Sequence, residues 1–379
     1  MDFSLNDDQR AFAESARTLF EDHCGDAQLR AHDTSGDSHL RALWPACIDL
    51  GLHGVLVPEE HGGLGLGMTE LMGVLEAQGR ALALVPLWQH QLAAAAVARF
   101  GAPALVPQVL APAMDGSAML TLSPGALSVP RGAGLALSRS GTHGWRLDGE
   151  VNAVPLGADA RFALLGADCD GQPRLVLLDL SAPGVQRRSG LSQHHLGVAD
   201  LRLDGVALPD DAVLQAAAHG WVEPRAIACL AALQLGVSAE QARRTVQYVS
   251  ERQQFGRAIG TFQLVAGQMA DVHIGIETLR STLWQLVYRL DAGLGTLPQA
   301  LAVRAQACEL AHLAGHKCQH LHGGMGVDVT YPIHRFLYWS RALSAEIGGR
   351  DAHLQRLGDW LAENDRLGWK YDLPEDTTT

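Results

Sequence analysis

The chain has 379 residues with 41 acidic and 29 Lys or Arg side chains, which gives it a formal net charge of −12. At roughly 100–200 residues per domain this length allows two or three domains, and 47% hydrophobic with 18% charged residues excludes a disordered or collagen-like chain. The charge has the wrong sign for a protein that neutralises nucleic-acid phosphates, so we expect neither DNA nor RNA as a partner.

Helices are predicted for the first third of the chain. Apolar residues recur at helical spacing over residues 6–20, 69–79 and 89–100. The pattern changes near Ser123, where Gly and Pro cluster (Pro124, Pro130 and Gly132 among them) and short apolar runs between Asp-Gly turns follow. These runs predict an antiparallel barrel or sandwich. The predicted strands lie at 135–140, 145–147, 161–165, 175–180 and 199–203.

Long helical periods return after about residue 220. Four stretches are long enough for a bundle, at 226–252, 262–291, 298–321 and 351–363. The predicted fold class is therefore multi-domain α+β. We expect an amino-terminal helical domain at 1–117, a middle β-barrel or sandwich domain at 118–218 and a carboxyl-terminal four-helix bundle at 219–379. Only the polar tail 374–379 is expected to be unstructured.

The cysteines and the first residues bear on the compartment. Six cysteines are scattered without a CxxC pair, a pattern that favours reduced thiols over a disulfide framework. The start MDFSLNDDQRAF is acidic where a signal peptide is basic, and no uncharged apolar stretch reaches the roughly 18–20 residues that span a bilayer. We therefore expect a soluble cytoplasmic protein without a membrane partner.

Two motifs in the last third resemble segments of one known family. The first, RQQFGR at 252–257 followed by Phe262-Gln263, resembles the RxxFG…FQ segment of the acyl-CoA dehydrogenases. The second, HLHGGMG at 320–326 with Tyr-Pro and Arg at 331–335, is similar to the QxHGGxG…YP..R segment of the same family. Residues 57–67 and 195–209 extend the resemblance over almost the whole chain.

The resemblance implies a fold, a reaction and partners. The family has an amino-terminal helical domain, a central β-domain and a carboxyl-terminal four-helix bundle, and it usually forms tetramers. Its members desaturate an acyl-CoA thioester between the α- and β-carbons, with FAD as the hydride acceptor. Electrons then normally pass to an electron-transfer flavoprotein.

The residues of the two motifs suit a dinucleotide. Arg252 and Phe255 are three residues apart at a helix end, so they offer a guanidinium to a diphosphate and a ring to an adenine. Gly323 and Gly324 have no Cβ, so their backbone can approach a phosphate. By position, the resemblance implies that these four residues and Gln263 contact the FAD bound by a neighbouring subunit.

Other cofactor positions depart from the family pattern. The glutamine two residues before the HGG falls at His320, which we expect to hydrogen-bond the cofactor less like an amide. In the middle domain, residues 153–155 are Ala-Val-Pro where the family often has a tryptophan followed by Ile/Val and Thr/Ser, and proline has no N–H to donate. Thr121 or Ser123, in what resembles a degraded T-E-P turn, is the candidate to replace one flavin contact.

The glutamate that removes the α-proton in the family is missing from both of its positions. Such a base must be strong and desolvated, and the two family positions are Ile347 and Ala226 here. Glu346 is one residue from the first position, which is about 100° on a helix. Glu223 is close to the second, but we expect it in a loop before a helix that starts at Pro224.

The missing glutamate and the changed flavin positions indicate one subgroup of the family and leave alternatives open. A chain with cofactor motifs but no base resembles the non-catalytic chains of α2β2 acyl-CoA dehydrogenases, in which a paralogous subunit supplies the glutamate. Residues 322–335 and Gly348-Gly349 are similar to such subunits of bacterial steroid degradation, whose substrates are bulky CoA thioesters of a sterol side chain or ring. The alternatives are a self-sufficient dehydrogenase with Glu346 as its base, a flavin-dependent monooxygenase on the same fold, and a scaffold without flavin.

A stripe of sulfur and imidazole side chains is a further candidate site. Its members recur every four residues on one helix face: Cys308, His312, His316 and His320. Ligands on successive turns of one helix cannot easily surround zinc tetrahedrally. We therefore expect ring-nitrogen hydrogen bonds to core carbonyls, or a buried polar seam, rather than a metal site.

Overall fold

The computed structural model of the chain describes residues 5–123, 125–128 and 134–364. The turns expected at Pro124, Pro130 and Gly132 and the tail 374–379 lie outside the described residues.

The described residues contain α-helices and β-strands in the expected order of helical, β and helical regions. The helices are α1 (Asp7–His23), α2 (Asp26–Ser35), α3 (Leu43–Asp49), α4 (Met68–Ala81), α5 (Leu87–Phe100), α6 (Val106–Met114), α7 (Gly125–Ser128), α8 (Ala218–Glu251), α9 (Gln263–Asp291), α10 (Leu297–Leu321), α11 (His334–Ala345) and α12 (Arg350–Glu363). The strands are β1 (Leu120–Leu122), β2 (Leu135–Arg139), β3 (Trp145–Pro155), β4 (Phe162–Cys169), β5 (Gln172–Asp179), β6 (Val185–Leu191), β7 (Gly197–Leu208), β8 (Gln253–Gln254) and β9 (Arg257–Ala258).

The predicted helices are confirmed, and at α1 the structure shows the hydrogen bonds that fix the start of the helix. Asn6 Oδ1 accepts a hydrogen bond from the Gln9 backbone N–H at 2.8 Å, and Gln9 Oε1 accepts one from the Asn6 N–H at 3.0 Å. This reciprocal capping box satisfies two backbone donors at the helix start. Ala16 and Phe20, on the face that the apolar spacing indicated, are both fully buried.

The described residues pack as two compact units. One unit is formed by residues up to 29, residues 72–83 and the chain from 227 onward, and the other by residues 30–71 and 84–226. The three-domain boundaries at 117 and 218 stay a prediction. No helix in the described part of the chain has both the length and the apolar composition needed to cross a membrane.

The sheet of the second unit is mixed. Its strand order is β1-β4-β2-β3-β7-β6, with β5 also beside β4. Both β1 and β2 run parallel to β4, whereas the other pairs are antiparallel. The expectation of an antiparallel barrel or sandwich is therefore wrong about strand direction at β4. Parallel strands cannot be joined by the tight turns on which that expectation rested.

Sequence reasoning missed two strands of this sheet. The first is β1, which has only three residues, all buried. The second is β6, which pairs with β7 at the edge of the sheet and has no buried residue. An exposed edge strand needs no alternation of apolar and polar residues, so β6 gave no periodic signal.

The start of α8 differs from the prediction. The helix begins at Ala218, eight residues before the predicted stretch 226–252 and six before Pro224, which lies inside it. Trp221 supports these first turns, since its ring packs edge-on against Phe100 at 5.7 Å and under the Arg225 guanidinium at 4.0 Å. The expectation that Glu223 lies in a loop is therefore wrong, because Glu223 is a helix residue that is only 6% exposed.

A further helix was also missed in the carboxyl-terminal third. The segment between α10 and α12 contains α11, which buries Phe336, Trp339 and Leu343. Its sequence, HRFLYWSRALSA, mixes basic and polar residues among the apolar ones and therefore has a weak helical pattern. The described helices after residue 217 are thus five rather than the four expected.

Two glycines bring α4 and α8 into backbone contact within the first unit. A Cβ on Gly79 would lie 2.2 Å from the Leu233 carbonyl oxygen, and one on Gly236 would lie 2.1 Å from the Glu76 carbonyl oxygen. No side-chain carbon fits at such distances. At the same crossing, Arg280 of α9 donates to Glu76 Oε2 at 2.9 Å.

Candidate active site

The RQQFGR motif folds into a hairpin beyond the end of α8. Its strands, β8 and β9, are joined by Phe255 and Gly256, whose φ angles are +53° and +78°. Two positive φ values are typical of a type I′ turn, which prefers asparagine and glycine. The left-handed conformation costs a phenylalanine about 1–2 kcal/mol, yet the Phe255 residue is 92% exposed. A strained aromatic residue on the surface makes Phe255 a candidate for ligand binding.

Arg252 and Gln263 flank this hairpin with fixed backbones and free side chains. The Arg252 N–H donates to the Tyr248 carbonyl at 2.8 Å, and its own carbonyl accepts from the Ile259 N–H at 2.8 Å. Gln263 is the first residue of α9. Neither side chain has a hydrogen-bond or ion-pair partner among the residues that the structure describes. Both are therefore available to a ligand.

The second motif forms a turn of 3₁₀ helix after α10. Gly323 has a φ of +58°, and a Cβ built on Gly323 or Gly324 would meet nothing within 4 Å. Gly326 differs, because a Cβ there would lie 2.4 Å from the Gln319 carbonyl oxygen. The first two glycines thus leave open space in front of their backbone, and the third is required by packing.

His320 lies one turn before these glycines with an exposed side chain. We call the six residues that share this exposed surface character the cofactor arm: Arg252, Phe255, Gln263, His320, Gly323 and Gly324. All of them belong to the same compact unit. Their exposed cationic, amide and aromatic groups and the open diglycine turn fit the diphosphate and adenine of FAD approaching from outside the chain.

His322 is a residue of this region that sequence reasoning did not single out. It is 2% exposed, and its ring stacks on Tyr248 at 4.3 Å. Its Nε2 lies 3.2 Å from Thr245 Oγ1, and its Nδ1 lies 3.1 Å from the Tyr331 hydroxyl. Burial lowers the pKa of His322 to about 4, so the ring is neutral at pH 7.

The two middle-domain candidates are buried in the sheet unit. Thr121 is fully buried, and its hydroxyl donates to the Pro155 carbonyl at 2.5 Å. Ser123 is 1% exposed, and its N–H donates to the Leu164 carbonyl at 3.1 Å. The segment around Ala153 is irregular, with a φ of +53° at that residue and a register shift between β3 and β7. A flavin contact from Thr121 or Ser123 stays a prediction.

A buried arginine organises the region where the family places its base. Arg304 of α10 is 1% exposed and donates to the carbonyls of Leu343 at 2.9 Å, Ser344 at 3.1 Å and Gly348 at 3.2 Å, and also to the Glu346 carbonyl. We call residues 343–348 the Arg304 turn. The guanidinium caps carbonyls that α11 leaves unpaired at its end. The only sequence signal for this role is a single charge within the apolar stretch 300–307.

The three residues considered for the base have different surroundings. Ile347 is 1% exposed with a φ of +53°, which is rare for a β-branched residue, and Ala226 is fully buried. Glu346 follows α11 directly, and its Oε2 is buried without a hydrogen-bond partner among the described residues. Burial raises the pKa of Glu346 to about 7, against the opposing charge of Arg304. A catalytic role for Glu346 stays a prediction.

The stripe on α10 is not the buried seam that we expected. Cys308 is buried, whereas His312, His316 and His320 are exposed. The rings of His312 and His316 lie 4.6 Å apart on the surface. The buried face of α10 is formed by other residues, among them Leu310, Ala311 and Ala314, so the three histidines lie on the solvent side of the helix. Within the described residues no group of three or more ligating side chains could hold a metal ion.

Comparisons with known proteins agree with this fold. The amino-terminal domain model of the acyl-CoA dehydrogenases matches residues 6–117, and the carboxyl-terminal domain model matches residues 226–362. The acyl-CoA dehydrogenase FadE27 of Mycobacterium tuberculosis is 32% identical over 376 residues, which cover 96% of this chain and 99% of that protein.

Two solved structures are similar over the same extent. A variant of the Tcur3481-Tcur3483 steroid ACAD matches with 38% identity and a TM-score of 0.88, covering 96% of this chain and 99% of that chain. The ChsE4-ChsE5 complex from Mycobacterium tuberculosis matches with 30% identity and a TM-score of 0.89 over the same shares.

The chain belongs to the acyl-CoA dehydrogenase family. It is an FAD-dependent oxidoreductase that acts on acyl-CoA thioesters. This assignment favours dehydrogenation over the monooxygenase and scaffold alternatives.

Proposed function

We propose that this chain is the subunit of a heteromeric acyl-CoA dehydrogenase that contacts FAD but lacks the catalytic glutamate. The observation that carries the proposal is the pairing of an exposed cofactor arm with two apolar residues at the base positions, Ile347 and Ala226. Neither of these side chains accepts a proton. In this proposal the α-proton of the substrate goes to a carboxylate of another chain.

In this proposal the chain's own residues bind and orient. Arg252 neutralises the cofactor diphosphate, Phe255 packs on the adenine, and the Gly323 and Gly324 backbone approaches a phosphate oxygen. Gln263 and His320 supply hydrogen bonds to the cofactor's polar edges. FAD, when bound, accepts the hydride that leaves the β-carbon of the thioester.

The relatives support a partner and a substrate class. Both solved relatives carry two paired subunit names, and one is called a steroid ACAD. We infer an α2β2 assembly with a paralogous acyl-CoA dehydrogenase, a CoA thioester of a sterol side chain or steroid ring as substrate, and an electron-transfer flavoprotein as the electron acceptor.

The test compares the lone chain with the chain co-expressed beside a candidate paralogue that carries a glutamate at a family base position. We expect FAD to remain bound through purification only in the pair, as measured by its visible absorbance and by flavin release on denaturation. Tight FAD binding and acyl-CoA turnover by the lone chain would reject the proposal.

Matched carboxylate variants in the pair locate the base. Glutamate to glutamine at the paralogue's base position should abolish dehydrogenation with an artificial electron acceptor, whereas Glu346→Gln in this chain should leave the rate within about twofold. A loss of turnover on Glu346→Gln alone would assign the base to this chain instead.

A second candidate, a self-sufficient dehydrogenase that uses Glu346, is favoured by one observation. The buried Oε2 of Glu346 lacks a partner among the described residues, and a pKa of about 7 suits a general base. The position of Glu346 argues against this candidate, because the family base falls at the next residue, Ile347. Turnover by a homomer that Glu346→Gln abolishes is the result that would select this candidate.

A further inference from the structure

His322 connects the two parts of the cofactor arm. It lies immediately before Gly323, and its ring stacks on Tyr248 of α8 at 4.3 Å with an interplanar angle of 26°. The Tyr248 carbonyl in turn accepts the Arg252 N–H at 2.8 Å. The imidazole therefore spans from the diglycine turn to the helical turn that carries Arg252.

The hydrogen bonds around the His322 ring allow one consistent assignment of donors and acceptors. The Thr245 hydroxyl donates its single hydrogen to the Gln241 carbonyl at 2.8 Å, so it can only accept from His322 Nε2–H. His322 Nδ1 is then unprotonated and accepts from the Tyr331 hydroxyl at 3.1 Å. This balance assigns the neutral Nε2–H tautomer, with both ring nitrogens satisfied.

The far side of the network closes the loop that contains the glycines. The Tyr331 N–H donates to the Asp328 carbonyl at 3.0 Å, and the Asp328 N–H donates to the Met325 carbonyl at 3.2 Å. The Tyr331 hydroxyl then returns to His322 at the start of the loop. Residues 322–331 are thus closed by a side-chain clasp whose centre is the imidazole.

We propose that His322 is the positioning residue of the cofactor arm: its two hydrogen bonds and its stacking on Tyr248 hold the diglycine turn in register with Arg252. This inference rests on the proposed FAD contacts of the arm. A buried network with every member satisfied is rigid, because breaking one bond leaves a buried polar atom unpaired. Rigid placement of both parts lowers the ordering cost of binding the cofactor.

Isosteric and conservative variants of Thr245 separate positioning from packing. In the complex with the paralogue, Thr245→Val removes the acceptor of His322 Nε2–H, and we expect the FAD dissociation constant to rise roughly tenfold. Thr245→Ser keeps the acceptor and should bind FAD within about twofold of the unchanged protein. The opposite order, with Val equal to the unchanged protein and Ser weaker, would assign Thr245 and His322 to packing alone and overturn the proposal.

Two further variants keep the test decisive if Thr245→Val folds poorly. Tyr331→Phe removes the donor to Nδ1 and should also raise the FAD dissociation constant roughly tenfold. His316→Phe, which alters an exposed imidazole on the same helix, is the control and should leave it unchanged. Equal FAD affinity in Tyr331→Phe and His316→Phe would contradict the proposal.

Hydrogen exchange on the full chain without FAD tests the clasp independently of the proposed function. In His322→Phe, amides of residues 323–327 and 252–257 should exchange faster, while those of β4 keep their protection. If exchange changes in this way but no pair with a paralogue binds FAD, the heteromer proposal fails and the clasp stands. Unchanged exchange in both segments would overturn the positioning role.

Discussion

The cofactor arm and the Arg304 turn lie in the same unit and use arginine in opposite ways. Arg252 is exposed and has no side-chain partner among the described residues, whereas Arg304 is 1% exposed and binds the carbonyls at the end of α11. The first guanidinium is open to an external anion, whereas the second is occupied by carbonyls of its own chain. The comparison teaches that burial and partners, rather than residue type, separate a binding arginine from a structural one.

The largest loss of stability is expected when the Arg304 guanidinium is removed. Arg304→Met leaves several buried carbonyls without a donor, so we expect the free energy of unfolding to fall by about 3–5 kcal/mol. Urea denaturation followed by far-UV circular dichroism measures the change. Arg350→Met, which alters an arginine 3.6 Å from Glu309 with 49% side-chain exposure, is the matched control and should change stability by less than about 1 kcal/mol. Similar losses in both variants would contradict the buried clamp.

The glycines of the second motif should divide into a packing residue and a binding residue. Gly326→Ala forces a Cβ against the Gln319 carbonyl oxygen, and we expect a loss of about 1–3 kcal/mol in the free energy of unfolding. Gly324→Ala meets nothing within 4 Å, so its stability should change by less than about 0.5 kcal/mol while FAD binding to the complex weakens. Thermal unfolding and FAD titration measure the two effects, and an equal loss of stability in both variants would reject the division.

Glu346 should make stability depend on pH in a defined direction. Its folded pKa of about 7 lies above the ordinary value of 4.5, so the fold favours the protonated carboxyl. The stabilising contribution is present below pH 4.5 and is lost as the pH rises through about 7. Glu346→Gln should therefore gain stability relative to the unchanged protein between these pH values.

Urea denaturation at a series of pH values measures this difference. The control is Glu309→Gln, because the Glu309 side chain is 64% exposed. Its free energy of unfolding should change with pH in the same way as that of the unchanged protein. If the stability of Glu346→Gln had the same pH dependence as that of the unchanged protein, the Glu346 carboxyl would be solvated in the folded chain.

A gain in stability, rather than a loss, is expected at the tip of the hairpin. Phe255→Asn replaces an exposed aromatic residue at a φ of +53° by one that tolerates this conformation, so the free energy of unfolding should rise by roughly 1 kcal/mol. FAD binding to the complex should weaken because the ring is lost. Phe255→Ala removes the ring without relieving the strain, so it should weaken FAD binding with no gain in stability. Unchanged FAD affinity in both variants would remove Phe255 from the cofactor arm.

The sequence places the residues proposed for the cofactor arm in two short local motifs, and their contacts with FAD stay a prediction. Arg252 and Phe255 belong to one short motif, and Gly323 and Gly324 to another, so spacing alone brings their groups together. The long helices were also readable, since their apolar residues recur with a regular period over many turns.

The Arg304 turn could not be predicted because its contacts are not local. Arg304 binds carbonyls 39 to 44 residues further along the chain, and backbone carbonyls have no sequence signature. Likewise β6, an exposed edge strand, has no alternating pattern, and the early start of α8 depends on the packing of Trp221 against Phe100. The His322 clasp needed both α8 and the loop to Tyr331 before its hydrogen bonds could be recognised.

The paired glycines where α4 meets α8 have a consequence for genetic study of the protein. A single methyl group at Gly79 or Gly236 is enough to push two backbones apart, and both positions are distinct from the residues of the cofactor arm and of the Arg304 turn. Alanine at either position is therefore a rational route to a temperature-sensitive allele. Cells carrying it would lose the protein on warming, with every proposed ligand contact chemically intact.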